Sequence, residues 1–245
     1  MLAIRTRMGL WLLLLLGVLQ VGLASPIPQD DLLATAKVSS LSEMLQDENV
    51  AGYLQHWAQR KTKYRDQVAF LRTFFYRTHR KYLKQYVPYS SVQQTLANGS
   101  YDCVSGSALF AAFLQALEVP YEIRETGYHV FVMARLDNKY LLLESTDPSA
   151  GFVEDQQAII HQVQQYIFDG LDAAMVSKPI HNTITLEQLE GLMYYNRALN
   201  YFQLRDRESA AYFLEHALAR YDSPRIRAMS DLLKEHPEQV VITER

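Results

Sequence analysis

The stretch that decides the fold is Tyr128-His129-Val130-Phe131-Val132-Met133-Ala134-Arg135-Leu136-Asp137-Asn138-Lys139-Tyr140-Leu141-Leu142-Leu143-Glu144. Two apolar runs meet at Asp137-Asn138. Asp and Asn tolerate the positive φ that a two-residue hairpin turn demands at both central positions. The reading is two antiparallel strands, Tyr128–Leu136 and Lys139–Glu144. A third strand, Tyr121–Glu125, precedes them, with Gly127 as the turn or bulge between. Alternation sets His129 and Phe131 on one face and Val130 and Val132 on the other. Pairing about the turn puts Leu136 beside Lys139. His129 then stands level with Thr146, within reach of Glu144 and, with slight slippage, of Asp147. A charged residue directly after Leu141-Leu142-Leu143 is also unusual for a purely solvated acid.

Upstream lies the chain's one cysteine, in Gly99-Ser100-Tyr101-Asp102-Cys103-Val104-Ser105-Gly106-Ser107, followed by the apolar stretch Ala108–Leu117. A helix is expected over Cys103–Glu118, ended by Val119-Pro120. Cys103 opens that helix, where first-turn amides and the helix dipole favour a thiolate and could hold an oxyanion. Asp102 opposes the thiolate as a neighbouring charge unless its carboxylate caps the helix amides instead. Ser105, Gly106 and Ser107 are small enough to admit a substrate or a facing strand. A lone cysteine is commonly a small buried hydrophobe, and a histidine in an apolar strand is commonly a satisfied core residue. The order cysteine, histidine, carboxylate outweighs both readings, because it supplies a nucleophile, its base and the group that orients the base.

These segments resemble the transglutaminase-like superfamily, a papain-related cysteine fold. Gly127-Tyr128-His129-Val130-Phe131-Val132 resembles the histidine strand of that family, and Tyr140-Leu141-Leu142-Leu143-Glu144-Ser145-Thr146 resembles its acid strand. The likeness runs from Val92 to Phe152, about a quarter of the chain. It implies an α+β core in which the cysteine helix packs on a small antiparallel sheet, flanked by N-terminal and C-terminal helices. It further implies that Cys103, His129 and Glu144 form a catalytic triad. Most members carry aspartate where Glu144 stands, which leaves Asp147 as a rival for the third place. The shared family chemistry is thiolate attack on an amide carbonyl to give a thioester. The leaning is toward a cysteine peptidase or amidase acting on protein, peptide or wall-component amides. A non-catalytic secreted binding protein is the alternative. A calcium-dependent cross-linking enzyme comes third, since no acidic loop has the spacing of a calcium site.

The N-terminus reads as a secretory signal over 1–24. Arg5 and Arg7 precede the apolar run Leu10–Val21, and Gly22-Leu23-Ala24 offers a cleavage site. The run is short for a membrane span and no second one follows, so an exported, secreted or periplasmic, protein without an integral segment is expected. The chain carries 24 basic and 27 acidic residues, a net charge of −3. Losing Arg5 and Arg7 leaves 22 against 27, or −5. That balance offers no basic stripe for nucleic acid. One cysteine excludes an internal disulfide. No phosphate loop, dinucleotide fingerprint or histidine pair with metal-ligand spacing is present, so no cofactor or metal is expected.

Around the core, residues 25–38 read as a flexible leader and 39–91 as a helical region. In the latter, Asp66 is positioned to cap Gln67–Tyr86, and Phe70, Phe74 and Phe75 form an apolar stripe. The basic run Arg77–Lys84 reads as that helix's solvated face. The core occupies 92–152 and a connecting helix 153–180, with Glu154–Phe168 as its helical part. Residues 181–245 read as helices Thr185–Leu204, Arg207–Tyr221 and Pro224–His236. The first two resemble one tetratricopeptide repeat through Tyr194, Ala198, Tyr201, Ala210, Leu214 and Ala217. A single repeat cannot bury both its faces, so Leu199, Phe202 and Phe213 need the rest of the chain or a protein partner.

Overall fold

The computed structural model describes residues 41–173 and 180–235. The expected signal segment 1–24 and leader 25–38 lie outside those residues. The hairpin forms as its sequence dictates. Strands β4 (Val130–Leu136) and β5 (Lys139–Leu143) pair antiparallel with Leu136 opposite Lys139 and Val132 opposite Leu143. Asp137 and Asn138 both take positive φ, 48° and 63°, the left-handed conformation a tight hairpin turn needs. Strand β3 (Tyr121–Thr126) pairs with β4 on the other side, Ile123 opposite Val132.

One boundary differs from expectation. His129 precedes β4 rather than lying within it. The Thr126 amide donates to the His129 carbonyl at 2.8 Å, closing the β3–β4 turn around Gly127 and leaving His129 at the strand's mouth. Two strands have no sequence signal behind them. They are β6 (Phe152–Val153) beside β5 and β7 (His181–Ile184) beside β3. The result is a five-stranded antiparallel sheet in the order β6-β5-β4-β3-β7.

Before the sheet come helices α1 (Leu41–Leu45), α2 (Glu48–Lys61) and α3 (Gln67–Tyr82), and then α4 (Val92–Ala97). Asp66 caps α3 through Val68 and Ala69 at 2.9 and 3.1 Å. A two-residue parallel bridge, β1 (Gln85–Tyr86) with β2 (Ser100–Tyr101), delivers the chain to α5 (Cys103–Ala116). Helix α5 is apolar on every side and buried from Val104 to Leu114, as a central helix must be. It lies between α2–α3 and the sheet. Phe113 meets Phe74, and Phe110 stacks on Phe75 with ring centroids 5.0 Å apart. Val130, Val132, Ala134, Leu141 and Leu143 form the sheet face in this core. Phe131, Met133 and Leu142 point to the opposite face, where Ile159 of α6 (Gln156–Ala173) covers them.

The described residues end in α7 (Leu186–Gln203), α8 (Arg207–Arg220) and α9 (Pro224–Glu235). Tyr194, Ala198, Tyr201, Ala210, Leu214 and Ala217 are all buried between α7 and α8 or beneath them, and belong to the same core as α5. The fold is α+β. Among the described residues no helix is long and apolar enough to cross a membrane.

Candidate active site

Cys103 is the first residue of α5 and is partly exposed. Its helix is fixed by a reciprocal cap. Asp102 Oδ1 accepts from the Ser105 amide at 2.7 Å and from Ser105 Oγ at 2.9 Å, while Ser105 Oγ accepts from the Asp102 amide at 2.9 Å. The second oxygen, Asp102 Oδ2, accepts from Asn196 Nδ2 of α7 at 2.6 Å. Burial pushes the Asp102 carboxyl up to about 6 against these hydrogen bonds. The carboxylate beside Cys103 is therefore occupied in capping and in docking α7.

His129 is buried, and its Nε2 lies 2.7 Å from Glu144 Oε2. Three elements put it there. Ser107 Oγ of α5 donates to the Val130 carbonyl at 3.0 Å, tying the mouth of β4 to the cysteine helix. Gly106 lets the loop after β5 lie against the same helix turn, since a Cβ there would meet Ser145 Oγ at 2.7 Å and its Cβ at 2.8 Å. His79 of α3, itself buried, holds that loop from the other side through Nε2 and the Ser145 carbonyl at 2.9 Å.

Glu144 is 2% exposed and receives four hydrogen bonds. Oε1 accepts from the Thr146 amide at 3.0 Å and Thr146 Oγ1 at 2.6 Å. Oε2 takes His129 and the Tyr166 hydroxyl, the latter at 2.9 Å. Burial alone would raise its pKa. The hydrogen bond and charge of His129, with the two Thr146 donors, outweigh burial and hold it below the usual range. For His129, burial favours the neutral ring. The hydrogen bonds and charges of Cys103 and Glu144 overcome burial and push the imidazole up to about 10. With Nε2 committed to Glu144, Nδ1 is the nitrogen left for the cysteine.

Asp147 is occupied elsewhere. Its Oδ1 accepts from the Ser149 amide, Ser149 Oγ and the Ala150 amide at 2.8–2.9 Å, building the turn that leads to β6. Those bonds outweigh its partial burial and keep its pKa low. The acid beside the histidine is Glu144.

Two aromatic residues that sequence reasoning passed over complete the surroundings. Tyr166 of α6 lies 4.6 Å, centroid to centroid, from His129, and its hydroxyl accepts from Gln162 Nε2 at 2.6 Å while donating to Glu144. Tyr128 stacks on His129 at 5.8 Å and stays 38% exposed. A cleft of about 380 Å³ opens over Cys103, bounded by Tyr86, Tyr89 and Tyr128 on one side and by α7 and α9 on the other. Among the described residues no group of three or more His, Cys, Asp or Glu side chains is placed to share a metal ion. Comparison of the chain with protein-family models, with curated proteins and with solved structures found no match.

Proposed function

We propose that the protein is an exported cysteine hydrolase of transglutaminase-like, papain-related type that cleaves amide bonds through Cys103, His129 and Glu144. The observation that carries the reading is the buried 2.7 Å contact between His129 Nε2 and Glu144 Oε2, on a ring whose pKa the nearby Cys103 helps to raise. A carboxylate at Nε2 fixes the ring and favours the imidazolium, which is what an ion-paired thiolate requires. Export is supported by Arg5, Arg7 and the Leu10–Val21 run.

In this mechanism the Cys103 thiolate attacks the amide carbon and the carbonyl π electrons move onto oxygen. The Ser105 amide is taken by Asp102 Oδ1 and the Gly106 amide by the Asp102 carbonyl. The Cys103 amide, at the first position of the helix, is the donor assigned to the developing oxyanion in this mechanism. Collapse breaks the C–N bond, and the imidazolium proton of His129 passes to the departing amine, leaving a thioester and a neutral ring. Water then attacks the thioester and gives a proton to His129. The carboxylic acid leaves and the thiolate–imidazolium pair returns.

The test is acid-quenched intact mass spectrometry of the protein mixed with a library of blocked peptide amides and a fluorescent primary amine. The reading predicts an acyl mass gain on Cys103, absent from Cys103→Ser, with amine product released and no fluorescent amine joined to peptide. Absence of any acyl adduct across the library contradicts it. Amine incorporation in place of hydrolysis would make the enzyme a cross-linker.

A further inference from the structure

The wall facing Cys103 across the cleft comes from outside the hairpin and its helix. Asn196 and Tyr195 of α7, with Leu199 one turn further on, and Ala228 and Met229 of α9 line it. Its position is fixed by the 2.6 Å bond from Asn196 to Asp102, the residue directly before the nucleophile. The C-terminal helices therefore form part of the cleft itself.

The charges in the cleft are already spent. Asp102 is 3% exposed, and both its oxygens accept hydrogen bonds from Ser105 and Asn196. Arg225 of α9 donates to the Thr126 carbonyl. Its Nε also lies 3.1 Å from Oε1 of the wholly buried Glu125, an ion pair by distance whose N–H does not point at the oxygen. An anionic substrate group finds no uncommitted cation in this lining, and a cationic one finds no uncommitted carboxylate. A charge brought into such a space loses water and gains no partner. What the lining offers is aromatic and aliphatic surface: Leu199, Met229 and Ala228 on the wall, with the exposed rings of Tyr86 and Tyr128 at the rim. Its volume falls within the range that holds small ligands or one bulky side chain with its backbone.

We infer that the cleft takes a neutral peptide whose residue next to the scissile carbonyl is bulky and apolar, and that α7 and α9 read that residue through Leu199, Ala228 and Met229. The inference rests on the hydrolase reading and adds its substrate class. The two are separable, because a small alkylating agent reports on the thiol and a peptide probe reports on the wall.

The probes are blocked dipeptidyl chloromethyl ketones bearing Phe, Glu or Lys beside the ketone, followed by intact mass. The Cys103 sulfur displaces chloride and one S–C bond forms. Iodoacetamide is run in parallel. The expected result is alkylation by the Phe probe about tenfold or more faster than by the Glu or Lys probe, the discrimination an apolar pocket gives. Ala228→Phe, which fills the wall, should bring the three rates together. Leu199→Glu, at a half-buried position on the other helix, should turn the preference toward Lys. Equal rates for all three probes with rapid iodoacetamide labelling would overturn the substrate inference and leave the hydrolase reading standing. A Glu preference would overturn it too, assigning recognition to Arg225. Iodoacetamide labelling no faster than that of a free thiol would remove the hydrolase reading, and the inference with it.

Discussion

Two buried glutamates, one on the sheet and one just past its strand β5, are built almost alike. Glu125 on β3 is wholly buried, accepts the Tyr221 hydroxyl at 2.5 Å and Asn182 Nδ2 at 3.4 Å, and faces Arg225. Glu144 after β5 accepts the Tyr166 hydroxyl and two donors from Thr146, and faces His129. Each has a tyrosine, a polar neighbour and a basic partner. The difference lies in the partner. Arginine keeps its proton at any pH a protein survives, so the Glu125 pair only neutralises charge where α9 docks. Histidine gives its proton up and takes it back, and the Glu144 pair stands against a cysteine. Burial and hydrogen bonding alone do not separate a structural ion pair from a chemical one. A titratable ring next to a thiol does.

Removing Arg225 should have the largest effect on stability. Arg225→Ala leaves Glu125 buried without its cation, at a cost of about 3–5 kcal/mol. In a protein of this size that lowers the melting temperature by about 10 °C, readable by calorimetry. A loss under about 1 kcal/mol would mean that water or another donor satisfies Glu125, and the contrast between the two pairs would weaken.

Changes at Glu144 should act on reactivity. Glu144→Ala should slow iodoacetamide labelling of Cys103 at pH 6 by about tenfold, since the orienter works through the base. Glu144→Gln should slow it less. Its carbonyl can still receive the imidazole N–H, although its NH₂ must then face the Thr146 donors. If Asp147→Ala is the damaging change and Glu144→Ala is silent, the third residue has been misassigned.

The pair also predicts a pH dependence of stability. The folded pKa of His129 is raised to about 10, against about 6.5 for a free imidazole. The contribution of the pair is therefore complete below pH 6.5. It is lost as pH rises toward 10, because the unfolded chain releases the proton first. The difference in urea midpoint between wild type and His129→Gln should be larger at pH 6 than at pH 9.5. An unchanged gap would mean that the ring is neutral when folded.

How much of this was legible in sequence depends on where each signal came from. The β4–β5 hairpin, its register and the proximity of His129 to Glu144 followed from Asp137-Asn138 and the alternation around it, all local features. The cap at Asp66 was equally local, and the cap at Asp102 was one of two roles its position left open. Strands β6 and β7 were not legible. One has two residues. The other, His181-Asn182-Thr183-Ile184, is polar and largely exposed, without the alternation that marks a strand. Tyr166 was missed for another reason. It reaches Glu144 only because α6 crosses the sheet face carrying Phe131 and Leu142, and no spacing in a sequence records that crossing. The Asn196–Asp102 bond spans 94 residues and was invisible on the same grounds.

The smallest effects should come from the two tyrosines. Tyr221→Phe and Tyr166→Phe each remove one hydroxyl from a buried carboxylate, at about 1–3 kcal/mol. Tyr221→Phe should lower the melting temperature and leave the pH profile of Cys103 labelling unmoved. Tyr166→Phe should move that profile. Identical profiles in the two variants would place Tyr166 in a purely structural role.

The central claim is that His129 activates the Cys103 thiol, and the most direct measurement is the rate of iodoacetamide labelling from pH 5 to pH 9 in wild type and His129→Ala, read by intact mass. The account predicts a variant that at pH 6 is labelled about 100-fold more slowly than wild type. Superimposable profiles for the two proteins would contradict it.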